Sequence, residues 1–508
     1  MPVFDHRTPP DTLPHSEFPP RMAAPSPASS GSPLPELTYE AAVEYLFGRI
    51  NYERVPTSKY STDDFQLPRM SMLLERLGNP HLTIPAVHIT GTKGKGSTAA
   101  MTAAMLQAAG HTVGLFTSPH LVRFEERMTV NGVLPSPEKI VSLVKKLRDL
   151  ASDLEQSEET RPTFFELSTA LAWMVFQDAG CDLAVLEVGL GGRLDTTTLC
   201  APLVTVITSI SRDHMRLLGD TLELIAREKA GIIKPGVPCL IGVDQPSVVA
   251  VIAEVCHERG AELRQLGQEI RIEHRHPTPG RVGPAKWTID VRTPTHTYRA
   301  MEIPLAGEFQ TRNAALAIAA VECVVFRSAK ERPFAERKET IPAERKETIP
   351  AERKETLITE DQMRAGLSRV TWPLRLEVVQ QSPLILLDAA HNDASMRELC
   401  RAALSIPAAT RTLIFGTSRD KEAAVMLGIA GAAFDQLIVT KYSTNPRAWP
   451  VEELVEIAKS ATRTPVQSSP TVAEALHHAR QSSHPGDLIC VAGSFFLAAE
   501  AREILTLP

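Results

Sequence analysis

The sequence contains no apolar run near the roughly 20 residues that a membrane-crossing helix needs. Its seven cysteines stand scattered. They form no C-x-x-C pair and no metal-ligand spacing, which fits a reducing compartment. Positive charge is not concentrated either: the formal net charge is −6. A general nucleic-acid binder needs clustered Lys and Arg for the phosphate backbone, so that class is excluded. The stretch "MPVFDHRTPP" lacks the basic and apolar regions of a secretory signal. These absences predict a cytoplasmic, soluble protein with no membrane and no nucleic-acid partner. What remains is ordinary globular composition, 43% apolar and 22% charged, in a chain of 508 residues long enough for two or three domains.

Residues 1–37 are rich in Pro and Ser and nearly free of periodic apolar positions, so a disordered tail is predicted there. Helical spacing begins at "LTYEAAVEYLFGRI". Strand-like runs follow at "AVHIT", "HTVGLFT", "CDLAVLEVG", "PLVTVITSI" and "VPCLIGV", separated by helical stretches. That alternation predicts an α/β fold with a mostly parallel sheet covered on both faces. A small antiparallel patch is predicted between 265 and 305 from "IRIEH", "AKWTIDVRT" and "HTYRAMEIPL". The segment 335–356 repeats the octet "AERKETIP" and has no core-forming face, so it reads as a solvated insertion. Beyond it, "LILLDAAHN", "RTLIFGTS", "QLIVTKYS" and "DLICVAGS" predict a second, smaller α/β domain. The expected domains are therefore 38–372, carrying the insertion, and 373–508, joined at Trp372-Pro373.

The chemistry concentrates in "HITGTKGKGSTAAMTAAML", His88 to Leu106. The common nucleotide loop reads G-x-x-x-x-G-K-[ST], but here Gly96 separates Lys95 from Ser97. Gly91, Gly94 and Gly96 allow backbone N–H groups to converge on an anion. A helix expected to start near Ser97 adds its N-terminal partial charge, and Lys95 adds a full one. A plain glycine-rich turn with a surface lysine is the competing reading. The position between a strand and an Ala-rich helix favours phosphate binding. In "LAVLEVGLGGRLD" an apolar strand delivers Glu187 near its C-terminal end, where open α/β sheets bind ligands. A carboxylate after four apolar residues is costly unless paired or ligating, so Glu187 is a candidate Mg²⁺ ligand. The "GLGG" that follows lacks the third glycine of a dinucleotide fingerprint. "ITSISRDHMRLLG" repeats the pattern, with Asp213 and His214 at a strand end, and "REKAGIIKPG" places Lys229 on a helix just before a turn. A surface salt bridge with Glu228 is the alternative for Lys229.

Taken together, "LPRMSMLLERLGNP", "HITGTKGKGS", "FTSPHLVRFEERMTVNG", "FFELSTALAW", "LEVGLGGRLD", "DHMRLLGDTLELIAREKAGIIKPG", "FQTRNAALA", "WPLRLE", "LDAAHN" and "VAGSFF" resemble the folylpolyglutamate synthase and dihydrofolate synthase family. That family is a branch of the Mur-type amide ligases, and the likeness runs from about residue 65 to the C-terminus. The resemblance implies a Mur-ligase-type P-loop ATPase domain followed by a Rossmann-like domain. Gly91, Thr92, Gly94, Lys95, Gly96 and Ser97 would cradle the ATP phosphates, and Asn313, Arg375 and Asp388 match nucleotide-contacting positions. Ser118, Glu187 and His214 would hold Mg²⁺. Lys229 would be carbamylated and help to hold a second Mg²⁺ and the acyl phosphate. His391 would act from the second domain across the cleft, and Arg127, Phe164, Phe165 and Glu166 mark the expected pterin pocket. Lys93, Thr198, Arg212 and Met215 depart from the family's usual residues.

The implied reaction joins L-glutamate to a folate-type carboxylate, which ATP first activates as an acyl phosphate. Dihydropteroate would give dihydrofolate, and tetrahydrofolate would give its polyglutamates, the expectation being one bifunctional, monomeric enzyme. A monofunctional folylpolyglutamate synthase or a non-folate Mur-type ligase are the alternatives. A P-loop GTPase or kinase is disfavoured by the inserted Gly96 and by the absence of an N-K-x-D motif.

Overall fold

The computed structural model describes residues 37–55, 61–157, 159–278, 283–330 and 358–506. The octet repeat and the predicted tail before Leu37 lie outside the described residues.

The first sheet contains seven strands: β1 (Ala86–Thr90), β2 (Val113–Phe116), β3 (Met128–Val130), β4 (Leu183–Glu187), β5 (Pro202–Ile207), β6 (Cys239–Ile241) and β7 (Leu263–Gln265). Their order is β3-β2-β4-β1-β5-β6-β7. Only β3 runs antiparallel to its neighbour. Every residue of β1 and β4 is buried, because helices cover both faces and each strand must be apolar throughout rather than in alternation. The parallel arrangement puts the loops after β1, β4 and β5 at one edge, so Gly91, Val188 and Thr208 open onto the same side.

An antiparallel sheet follows, with β8 (Arg271–Thr278), β9 (Lys286–Arg292) and β10 (Thr297–Ile303). The third sheet holds β11 (Glu377–Gln381), β12 (Leu384–Leu387), β13 (Arg411–Phe415), β14 (Gln436–Val439), β15 (Val466–Ser468) and β16 (Leu488–Ala492). Its order is β11-β12-β16-β13-β14-β15, parallel except for β11. The predicted architecture of a larger and a smaller α/β unit with an antiparallel patch is thus the observed one.

Behind the phosphate-loop candidate, the helix Lys95–Ala108 packs against the helices Phe309–Lys330 and Glu360–Ser368. Small residues make this approach possible. A Cβ on Gly366 would lie 2.5 Å from the Ala104 carbonyl oxygen and 2.6 Å from Met105 Cα. The segment before the first sheet also touches the C-terminal lobe: the Glu53 carbonyl accepts hydrogen bonds from Asn445 Nδ2 and from an Arg447 guanidinium nitrogen, each at 3.2 Å. Among the described residues no helix is long and apolar enough to cross a membrane.

Candidate active site

The loop after β1 turns on two glycines. Gly91 has φ +147° and Gly94 has φ +86°, both costly for a residue with a side chain. Space excludes a side chain as well: a Cβ at Gly91 would stand 2.0 Å from Thr208 Oγ1, and one at Gly94 2.3 Å from Asn313 Oδ1. The helix begins at Lys95, two residues before the expected Ser97, with Gly94 as its left-handed cap. Gly96 consequently lies in the first helical turn and needs no unusual φ. Its requirement is room, since a Cβ there would meet Trp372 Cζ2 at 2.9 Å and Glu187 Oε2 at 3.3 Å. The loop backbone is fixed from the β5 side by Thr92 N to the Ser209 carbonyl (2.8 Å) and Lys93 N to Ser209 Oγ (2.9 Å). The first helical turn and its partial positive charge face the cleft described next.

A cleft of about 980 Å³ runs between the lobes, and every predicted site residue except Arg127 and Phe164 lines it. At its floor, Glu187 ends β4 with its carboxylate 4.0 Å from Lys95 Nζ and accepts the Ser118 backbone N–H at 3.3 Å. Burial raises the Glu187 pKa, and Lys95 opposes the shift. Lys229 is not on the surface. It is 5% exposed, and its side-chain nitrogen donates to the Gly91 carbonyl at 3.0 Å. Burial, reinforced by Lys95, brings its pKa down to about 7. Glu228 pairs instead with Arg193. His214 sits at φ +50°, a left-handed conformation that β-carbon residues adopt at a cost and that clusters at functional sites. Burial keeps it neutral, its pKa well below the usual histidine value.

Across the cleft, Asp388 at the end of β12 accepts the Leu376 and Ala390 N–H groups at 3.0 and 2.8 Å. Burial raises its pKa, with Arg375 pulling the other way. His391 approaches from the same strand end, its pKa lowered to about 4 by burial and by Lys93. Asp213 lies between the lobes. Burial acts to raise its pKa, but Lys93, His214 and Lys421 outweigh that and hold it well below the usual carboxylate range.

Residues 89–321 match the Mur ligase middle domain, and residues 374–495 match the Mur ligase glutamate ligase domain. The chain is 32% identical over 469 residues to the dihydrofolate synthase/folylpolyglutamate synthase of Bacillus subtilis, covering 92% of this chain and 99% of that protein. The chain belongs to the dihydrofolate synthase/folylpolyglutamate synthase family. As a member it is an ATP-dependent ligase. The Escherichia coli protein of the same name is 30% identical over 447 residues, 87% of this chain and 92% of its own length. Among solved structures, the Mycobacterium tuberculosis folylpolyglutamate synthase complexed with ADP and AMPPCP superposes with a TM-score of 0.78 at 29% identity. It covers 92% of this chain and 99% of its own. A folylpolyglutamate synthase complex with AMPPCP and folate gives a TM-score of 0.73, also at 29% identity, over 92% of this chain and 100% of that one.

Within this family frame, two expected pocket residues lie elsewhere. Arg127 is fully buried, forms a bidentate pair with Glu53 (2.9 and 2.5 Å), donates to His120 Nδ1 and stacks over Phe164 at 4.9 Å. Phe164 packs with Phe47 and Phe124. Both support the wall from behind. Phe165 and Glu166 reach the cleft, Glu166 while pairing with Arg69 at 2.8 Å and capping its own helix through Thr163.

Other cleft residues were not given roles from sequence. Asp195 accepts the Gly189 and Leu190 N–H groups at 3.0 Å each and so braces the loop after β4. Lys421 donates to Asp213 at 2.6 Å from the loop after β13. The rule that exposed Glu187, polar residues at the C-terminal end of a parallel strand, applies equally to "GTSRDK" in the second lobe.

The donor set suits Mg²⁺ in part. Glu187 offers a hard oxygen, and His214 Nδ1 is buried without a hydrogen-bond partner. Among the described residues no three His, Cys, Asp or Glu side chains assemble into a metal cage.

Proposed function

We propose that this chain transfers L-glutamate onto folate-type carboxylates, converting dihydropteroate to dihydrofolate and lengthening tetrahydrofolate polyglutamates. The observation that carries the reading is the cleft itself. A phosphate loop with Lys95 and Glu187 at one wall faces Asp388 and His391 at the other, with Phe165 and Glu166 lining the same space. The assignment of individual residues, like the division of the chain at Trp372-Pro373, is our reading.

The loop and helix N-terminus hold the ATP phosphates, and Lys95 neutralises charge as the γ-phosphoryl passes to the substrate carboxylate. The product of that step is an acyl phosphate. The amine of glutamate attacks its carbonyl carbon, phosphate leaves with the carbonyl-to-phosphate bond electrons, and the ammonium proton is lost. His391, neutral and at the cleft, is placed to orient the amine once its Nε2 exchanges the Lys93 side chain for the incoming amine. Asn313 and Arg375 contact the nucleotide, and Asp388 fixes the loops that carry Arg375 and His391. Ser118, Glu187 and His214 would hold Mg²⁺, which supplies charge neutralisation at the transferring phosphate. Lys229 is suited to carbamylation: its lowered pKa leaves much of it as free amine near neutrality. The amine adds to CO₂ and releases one proton, giving a carboxylate-like group for a second ion. Closure of the lobes keeps water from the acyl phosphate. Seven free cysteines are in keeping with a cytoplasmic location.

The test is ATP-dependent incorporation of labelled glutamate, run side by side with dihydropteroate and with tetrahydrofolate. Label in both products is expected. Label in one alone removes the bifunctional reading, and label in neither, with Mg²⁺ and bicarbonate supplied, overturns the folate assignment.

A further inference from the structure

Lys93 has no part in the phosphoryl transfer as derived above, yet it is the loop residue most tightly built into the contact between lobes. Its main chain is fixed on both sides. The N–H donates to Ser209 Oγ at 2.9 Å, and the carbonyl accepts from Thr208 Oγ1 at 2.6 Å and Ser209 Oγ at 3.0 Å. From this anchored backbone the ammonium crosses to the C-terminal lobe, 2.6 Å from His391 Nε2, and lies 3.4 Å from Asp213 Oδ2 on its own lobe.

The His391 ring is set to receive it. Nδ1 lies 2.8 Å from the Ala389 carbonyl oxygen, which can only accept, so Nδ1 carries the proton and Nε2 presents its lone pair to Lys93. A second contact crosses in the opposite sense: Lys421 of the C-terminal lobe donates to Asp213 of the N-terminal lobe at 2.6 Å. Each lobe therefore contributes one cation and one acceptor. Asp213 and Lys421 retain 9% and 11% side-chain exposure, so this pairing is not a solvated surface ion pair of negligible worth. Opening the cleft requires both crossed contacts to break together.

We propose that Lys93 is a positioning residue that latches the two lobes and sets the His391 ring before the amine substrate arrives. The kinetic part of this proposal rests on the reading that glutamate is that amine; the structural part does not. Without an ammonium at 93, His391 Nε2 loses its donor and Lys421–Asp213 is left as the lysine contact across this part of the cleft.

The test uses the full-length chain with Lys93→Met, which keeps the length and removes the charge, and Lys93→Arg, which keeps the charge. Small-angle scattering of the unliganded proteins and steady-state kinetics with glutamate are measured for each. The Met variant is expected to show a larger radius of gyration than the wild type. Its KM for glutamate should rise about tenfold or more, the scale of one charge-assisted hydrogen bond, with kcat changed by less than about threefold. The Arg variant should recover much of both. Scattering of the Met variant that superposes on the wild type would overturn the latch. So would a collapse of kcat at unchanged KM, which would make Lys93 a direct phosphate contact. Should the wild type fail to use glutamate, the functional reading falls, and scattering still decides the latch.

Discussion

Replacing Lys229 by methionine is expected to abolish turnover while making the unliganded fold more stable. Lys229 is buried, and its pKa stands at about 7 against an ordinary 10.5. That displacement corresponds to about 5 kcal/mol of unfavourable interaction with the protonated form. Below the folded pKa the amine is charged in both states, and the full cost is present. Between about 7 and 10.5 only the unfolded chain keeps the proton, so wild-type stability climbs with pH there and the cost has gone above that window. Methionine fills the same space without charge but leaves the Gly91 carbonyl, now paired at 3.0 Å, without its donor. That loss costs about 1–3 kcal/mol. The net gain for Lys229→Met is then about 2–4 kcal/mol at and below neutrality, shrinking steadily and reversing in sign toward high pH. Thermal unfolding in bicarbonate-free buffer, at about pH 6.5 and about pH 9.5, reads the difference directly. A variant less stable than wild type at both values, with a pH-independent gap, would refute the argument that a charged Lys229 burdens the folded state.

Lys95→Ala should abolish glutamate-dependent ADP release, and near-wild-type turnover would sink the phosphate-loop assignment. Gly96→Ala should push Trp372 and Glu187 apart, lowering stability by about 1–3 kcal/mol less the roughly 1 kcal/mol that alanine gains in a helix. Its KM for ATP should rise, and unaltered ATP kinetics would show that Trp372 yields freely. Arg127→Met leaves Glu53 and the His120 ring without their donor, so unfolding should come about 3 kcal/mol more easily. Substrate KM values of the folded fraction should be preserved, and a selective rise in folate KM would mean that Arg127 contacts substrate after all.

Strands were legible in the sequence in proportion to how deeply they are buried. The core strands β1, β2, β4, β5 and β6 of the first sheet, and β12, β13, β14 and β16 of the third, are continuous apolar runs because helices cover them on both faces. The strands left unread, β3, β7, β11 and β15, are the outermost in their sheets. They are short and partly solvated, so their residues carry little pattern. In the site, strand ends exposed Glu187 and His214, because a polar residue closing an apolar run is conspicuous. Arg127 and Phe164 misled for the opposite reason. An arginine in a polar-looking turn gives no local sign that Glu53, 74 positions earlier, will bury it. Gly96 was noticed for its backbone freedom, whereas its neighbour Trp372 lies far along the chain and supplies the actual constraint.

The small-residue packing behind the phosphate loop gives the enzyme an asymmetry of motion. The helix Lys95–Ala108 is gripped by two others across alanine and glycine faces, and at Gly366 the backbones nearly touch. Such a contact has no side chains to rearrange and resists sliding. The loop therefore behaves as a fixed jaw, and the travel needed to admit nucleotide and release product falls to the C-terminal lobe. A methyl group added at position 366 would press on the helix far from any ligand, and its effect would surface at the other end, as a displaced phosphate.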